Sequence, residues 1–254
     1  MGRMMGRTFA TIRALVARDL LDAVRNSTLF MSGAVGVALA VFIVRIVEHA
    51  PRFAAGELPA YACTAALCIP PAFTGCVMLL YVMAEERERG VCLTLAEAGV
   101  TPRAFAVSKW LAGTLAALFA QVVACLLLGF SPVQTLGLGA SALVVMQPLL
   151  LAGLACGLMA TEQMSSSVLA APLTLVAVAP ILSFMSVSVR AVTWLLPLGP
   201  AVELVRTAQG LAPIVPVPVL FAVLLFWLIA SGALAVWALR RYARQLAAER
   251  DRLA

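Results

Sequence analysis

Charged residues gather into islands along this chain. Between them lie five windows without Asp, Glu, Lys or Arg: 26–44, 58–84, 110–161, 163–189 and 207–239, of 19, 27, 52, 27 and 33 residues. A bilayer hydrocarbon core about 30 Å thick takes about 20 apolar residues as a helix. Four windows therefore hold one helix each and the longest holds two. Ser131-Pro132 divides it, because proline biases the residue before it away from helix. The pattern predicts six spans, at about 28–47, 58–83, 107–130, 133–160, 164–189 and 214–239. The apolar runs are continuous rather than alternating, which excludes barrel strands of about 10 residues each. The expected fold is an all-α polytopic membrane protein.

Composition agrees. Of the 254 residues 63% are hydrophobic and 12% charged, against about 25% charged in soluble domains. A soluble enzyme, a disordered chain, a secreted disulfide scaffold and a nucleic-acid-binding domain are excluded. The net charge of +6 follows from topology. Fourteen of the 18 basic residues lie in the N-terminal segment, the loop after the second span and the tail; Arg45, Arg52, Arg190 and Arg206 lie on the other side. The positive-inside rule then places both termini in the cytoplasm. Tyr81, Trp110, Trp237 and Tyr242 fall at the inner span ends, and Tyr61 and Trp194 at the outer ones, as an aromatic belt requires.

The first 25 residues carry five Arg and two Asp without an apolar run, so they do not read as a cleavable signal. Phe9, Ile12, Val16, Leu20 and Val24 recur at helical spacing, with Thr11, Arg18, Asp22 and Arg25 opposite, which predicts an interfacial helix over 8–26.

Absences limit the chemistry. Lys109 is the sole lysine and Trp110 follows it, so no Gly-Lys-Ser/Thr phosphate loop exists. His49 is the sole histidine and reads as a solvated loop residue. The Asp residues, 19, 22 and 251, fall outside the spans. The six cysteines form no C-x-x-C and read as small apolar residues. Without an acid or base at mid-bilayer depth, a proton-coupled path is not expected. The chain reads as no enzyme, with no metal and no catalytic residues.

One island stands inside the apolar domain. Glu85-Glu86-Arg87-Glu88-Arg89-Gly90 ends a span, Leu93 and Leu95 follow, and Thr101-Pro102-Arg103 leads to Lys109. Glu85 and Arg89 form a favourable i, i+4 pair. Gly99 is a helix stop, and Thr101 with Pro102 is a helix start. The segment predicts a helix leaving the bilayer, a bend, a short amphipathic helix and a return.

This island resembles the cytoplasmic loop of ABC-2 type transporter permeases, the transmembrane subunits of ABC exporters. Glu86, Glu88, Arg89, Gly90, Leu93, Leu95, Thr101, Pro102 and Lys109 match its pattern of a charged run, leucines, a Thr-Pro turn and a lysine. Val91 stands where Thr is common, Ser108 where Gly often precedes the lysine, and Ala96-Glu97-Ala98 is more polar than the usual leucine run. The interfacial helix, six spans and an apolar connection over 190–211 with Pro197 and Pro200 extend the resemblance over most of residues 1–254.

The resemblance implies a single permease domain in the bacterial cytoplasmic membrane, with a coupling loop over 84–106 and a re-entrant loop over 190–211 near the outer leaflet. It implies two permease copies, or two related permeases, paired with separate ATP-binding cassette ATPase subunits. ATP and Mg belong to those partners, and no cofactor to this chain. Coupling residues would be Glu85, Glu86, Arg87, Glu88, Arg89, Gly90, Leu93, Leu95, Thr101 and Pro102, with the turn 161–163 as a second contact. By the same analogy Thr64, Phe73, Thr74, Ser183, Phe184 and Ser186 would line a substrate path. A path of apolar and hydroxyl groups suits an amphipathic or hydrophobic cargo: a peptide antibiotic, a drug or a lipid-like molecule. The alternatives are a haem-export-type or assembly-factor permease on the same scaffold, or a membrane enzyme with an unrecognised site.

Overall fold

The computed structural model describes residues 2–49, 56–160 and 163–253, and among these the chain is all helical. Arg52, in the first predicted outer loop, and Thr161 and Glu162, of the second predicted contact turn, lie outside the described residues.

Local chemistry sets the breaks. Helix α1 (Gly2–Arg25) ends at Asn26, whose Oδ1 accepts the Thr28 N–H at 3.0 Å and starts α2 (Ser27–Glu48). Helix α3 (Glu57–Pro70), a π-helical stretch (Pro71–Cys76) and α4 (Val77–Glu88) form one continuous 32-residue rod. Adjacent Pro70 and Pro71 lack N–H groups, so the α ladder cannot close here and widens. The Ser32 hydroxyl donates to the Phe73 carbonyl at 2.8 Å and satisfies part of the disturbed ladder. After α5 (Val91–Glu97), α6 (Pro102–Leu127) leads to Ser131, where a reciprocal capping box with Gln134 starts α7 (Pro132–Val145). Helix α8 (Gln147–Met159) continues after a 47° bend at Met146.

Among the described residues four helices are long and apolar enough to cross a bilayer: Ser27–Glu48, Glu57–Glu88, Pro102–Leu127 and Val217–Asp251. The bent α7–α8 pair makes a fifth if counted as one span. The window 164–189, predicted as one span, is interrupted. Helix α9 (Gln163–Val178) tightens into a 3-10 turn (Ala179–Phe184), since Pro180 removes a ladder donor, and α10 (Val187–Thr193) starts after it. Helix α11 (Gly199–Ala208) follows within a few residues. The last helix, α12 (Val217–Leu253), has 37 residues, about 55 Å at 1.5 Å per residue. It outruns a bilayer core of about 30 Å.

The α3–α4 rod is the centre of the bundle, with 83% of its most apolar window buried against 22% for α2 and for α12. The latter two turn Phe30, Phe42, Phe221 and Phe226 outward, as lipid-facing helices do. Small residues let the neighbours approach the rod. A Cβ on Gly36 would stand 2.6 Å from the Phe73 Cβ, and one on Gly75 2.6 Å from Leu150 Cδ2. On α8, a Cβ on Gly153 would stand 2.9 Å from Cys76 Sγ, and one on Gly157 2.9 Å from the Leu79 carbonyl. The GxxxG pair of α8 thus packs within the chain, against α4. Because the atom facing Gly157 is backbone, Gly157→Leu is expected to destabilise the fold by about 1–3 kcal/mol, read as a lowered midpoint in thermal unfolding of detergent-purified protein.

Candidate functional site

The charged island forms the hairpin between α4 and α6. Helix α4 runs to Glu88, Gly90 turns the chain with φ +71°, and α5 makes two turns across the end of the bundle. Gly99 ends α5 with φ +83°, its N–H bonding the Ala96 carbonyl at 3.0 Å, while the Val100 N–H bonds Leu95 at 2.9 Å. Thr101 Oγ1 accepts the Ala104 N–H at 3.2 Å, and Pro102 opens α6. Leu93, Leu95, Ala96 and Val100 pack on a cluster that includes Cys92, Phe105, Tyr242 and Leu246. Helix α4 and the extension of α12 therefore together seat α5. The Phe105 and Tyr242 rings stack at 5.9 Å, and burial pushes the Cys92 thiol up.

Below the hairpin lies a buried ion cluster. Lys109 on α6 is 2% exposed, and its Nζ stands 2.8 Å from Asp19 Oδ1 and 2.6 Å from Glu86 Oε2. The Asp19 contact is a hydrogen bond; that to Glu86 is an ion pair without hydrogen-bond geometry. Arg18 bonds Asp19 Oδ1 at 3.0 Å and pairs with Glu86. Burial works against the Arg18 charge, but Glu86 and Asp19 outweigh it and hold the guanidinium above its ordinary range. Four formal charges cancel here, tying α1, α4 and α6. Asp19, on the inner side of α1 with Leu15, is 1% exposed.

Arg87 ties the same end to two more helices. It donates to the carbonyls of Leu158 and Ala160 at 3.2 and 3.3 Å and to Gln245 Oε1 at 3.0 Å, with its Cζ 5.9 Å above the Tyr242 ring. Glu85 pairs at 2.8 Å with Arg89, which is 72% exposed. Glu88, Gly90, Thr94, Glu97 and Thr101 stand at the surface. Of the sequence-predicted coupling residues, Glu86 and Arg87 face inward, Leu93 and Leu95 half inward, and Glu88, Arg89 and Gly90 outward.

A second buried charge cluster lies at the opposite end, where α3 begins. Arg190 on α10 forks onto Glu203 of α11, Nε to Oε1 at 2.8 Å and Nη2 to Oε2 at 2.5 Å, and also donates to the Ala212 carbonyl at 2.8 Å. The hydrogen bonds to Glu203 raise the Arg190 guanidinium above its usual range. Arg206, one turn beyond Glu203, stacks on Phe184 with its Cζ 3.6 Å from the ring centroid. Burial lowers its pKa, and Arg190 adds to that. Gly199 permits this hairpin, since a Cβ there would stand 2.0 Å from the Thr193 carbonyl. Sequence reasoning did not single out Glu203. The signal was present: it is the one acid between 163 and 248.

The six predicted path residues stand in different surroundings. Thr64 and Ser183 are buried, and Phe73 and Thr74 are half-buried on the π stretch. Phe184 is held between Tyr61 and Arg206, and Ser186 is exposed at the start of α10. An apolar groove of about 320 Å³ runs between α3, α7 and α11, lined by Cys63, Leu67, Leu138, Val145, Leu204 and Ala208 among others. Among the described residues no group of three or more His, Cys, Asp or Glu is placed to hold a metal ion.

No protein-family model matches this chain, and no curated protein matches it in sequence. Function therefore rests on the geometry.

Lys109→Met would leave the buried carboxylates of Asp19 and Glu86 to share Arg18 alone. It is expected to cost about 3–5 kcal/mol, and adding Asp19→Asn is expected to recover part of that. Arg89→Ala, breaking an exposed pair, is expected to cost under about 1 kcal/mol. Unfolding midpoints of the purified variants check the order.

Proposed function

We propose that this chain is the permease subunit of an ATP-driven exporter of the ABC-2 type. It works as a pair of permeases in the bacterial cytoplasmic membrane with separate ATPase subunits, and moves an amphipathic or hydrophobic cargo outward. One observation carries the reading: the buried central rod leaves the bundle, turns at Gly90, and presents the short helix α5 on a braced seat. A mobile, solvated hairpin would serve topology equally well. Bracing by buried charges suits a segment that transmits force.

In this reading ATP binding in the partners pushes α5. The load passes through Gly90 into α4 and then into the rod. Glu86, Arg87 and Lys109 keep α1, α4, α6, α8 and α12 moving together, while Glu88, Arg89 and Glu97 offer the charged face to the ATPase. The π stretch, half-way along the rod, is where the wide ladder yields most easily. The chain has no phosphate loop of its own, which fits a division of labour between subunits.

The tagged chain, purified in mild detergent from its native host, is expected to bring down an ATPase with a phosphate-binding loop, identified by mass spectrometry. Glu88→Arg and Gly90→Pro are each expected to reduce that recovery at least about tenfold, the effect of roughly 1.4 kcal/mol of lost contact, with membrane insertion unchanged. Recovery that ignores both substitutions, or ATP hydrolysis by the chain alone, would overturn the reading.

A further inference from the structure

The charge cluster where α3 begins has a cation whose hydrogen-bonding capacity is unused. Glu203 is fully engaged: Arg190 takes both oxygens, and the Ile214 N–H donates to Oε2 at 3.0 Å. Arg206 is 4% exposed. Its Nε stands 3.9 Å from Glu203 Oε1, beyond hydrogen-bond reach, and is buried without a partner. Among the described residues the guanidinium makes this one long ion pair and donates no hydrogen bond to a protein group. Its charge is balanced only at a distance, by Glu203 and by Glu57 at the start of α3, both of which Arg190 shares.

The group is nevertheless held firmly. Its plane lies over Phe184, which Tyr61 fixes edge-on with ring centroids 5.4 Å apart and an 87° angle. Such a stack orients the planar fork without using its donors. The elements that meet here also carry buried hydroxyls without partners: Thr64 on α3, Ser183 on the 3-10 turn and Thr193 on α10. Buried donors in native proteins are nearly always satisfied. These open hydroxyls, on the elements that meet at a fixed guanidinium with an unpartnered buried Nε, point to an acceptor from outside the chain. The fork matches two oxygens of one phosphate or carboxylate. Leu182, Met185 and Val187, which flank Phe184 in the chain, are exposed apolar side chains along which a hydrocarbon chain can lie.

We propose that Arg206 binds the phosphate or carboxylate headgroup of an anionic amphiphile at the junction of α3, the 3-10 turn and α11. The hydroxyls of Thr64 and Ser183 supply neutral donors, and the amphiphile's chain lies along the exposed apolar residues that flank Phe184. This site needs no ATPase partner, so it stands or falls apart from the transport reading.

The test uses the full chain in dodecyl maltoside micelles, titrated with dodecyl phosphate or with inorganic phosphate and followed by thermal unfolding and tryptophan fluorescence. Dodecyl phosphate is expected to bind saturably and raise the unfolding midpoint. Arg206→Gln is expected to weaken that binding at least about tenfold, the effect of losing one charge-assisted hydrogen bond. Arg244→Gln, an exposed arginine on the α12 extension, is expected to leave it unchanged. Should the Gln variant not fold, Arg206→Lys keeps the charge but not the fork and is expected to weaken binding several-fold. Competition by millimolar inorganic phosphate would support the site and name the free anion as sufficient; its absence, with dodecyl phosphate bound, assigns the amphiphile. Unsaturable binding, or binding equally strong with both Arg206 variants, or lost equally with Arg244→Gln, would overturn the proposal.

Discussion

One ammonium group between two carboxylates holds the charged end of this bundle together. Lys109 meets Asp19 of α1 and Glu86 of α4 from its place on α6, and Arg18 completes a neutral cluster. The geometry explains why the single lysine of an arginine-rich chain stands here. An ammonium is a compact charge with three donors and fits a narrow site between two acids, whereas a guanidinium is flat and wide. Buried charges of this kind cost more to separate than they contribute when paired. They therefore act less as glue than as a constraint: the three helices stay in register, or a charge is stranded.

The rest of the structure distributes stiffness around that constraint. Arg87 extends the brace to α8 and α12, and the stack of Phe105 on Tyr242 extends it to the seat of α5. At the far end Arg190 and Glu203 lock α10 to α11 and to the strap leading into α12. Between the two charged ends the helices touch chiefly through small and aliphatic side chains, with a few neutral hydrogen bonds such as that of Ser32 to the Phe73 carbonyl. That division matches a bilayer, where unpaired charge at mid-depth is costly and close packing of small residues replaces the hydrophobic drive. The central rod is the exception, being weakened at Pro70-Pro71 where it is most deeply buried.

The turns of the island were legible because they depend on local backbone chemistry. Thr101-Pro102, Gly99, Gly90 and Ser131-Pro132 each stand where the chain starts, stops or bends. The roles of the residues between them were not legible in the same way. Glu85, Glu86, Arg87 and Glu88 read as one solvated charged run, yet successive residues on a helix point about 100° apart. Glu85 therefore meets Arg89 on the surface, Glu86 turns to α1 and α6, and Arg87 to α8 and α12. Which direction is inside depends on helices distant in sequence. The break within the window 164–189 was hidden for a different reason. Hydropathy measures whether a segment can enter lipid, not whether its hydrogen-bond ladder survives Pro180.

By itself the sequence determined that this chain is helical, that its long apolar windows suit a membrane, and that charge collects in a patterned loop and two termini. Those properties follow from transfer free energies and turn preferences, which act over a few residues at a time. Only the tertiary structure decided that Asp19, Glu86 and Lys109 meet, that α4 and α12 together seat α5, and that Arg206 is stacked on Phe184 with its donors unused. Contacts of this kind join residues far apart in the chain, Arg87 and Gln245 being separated by 158 positions. Their energy comes from the exclusion of water between charged groups, which exists only after the helices have packed.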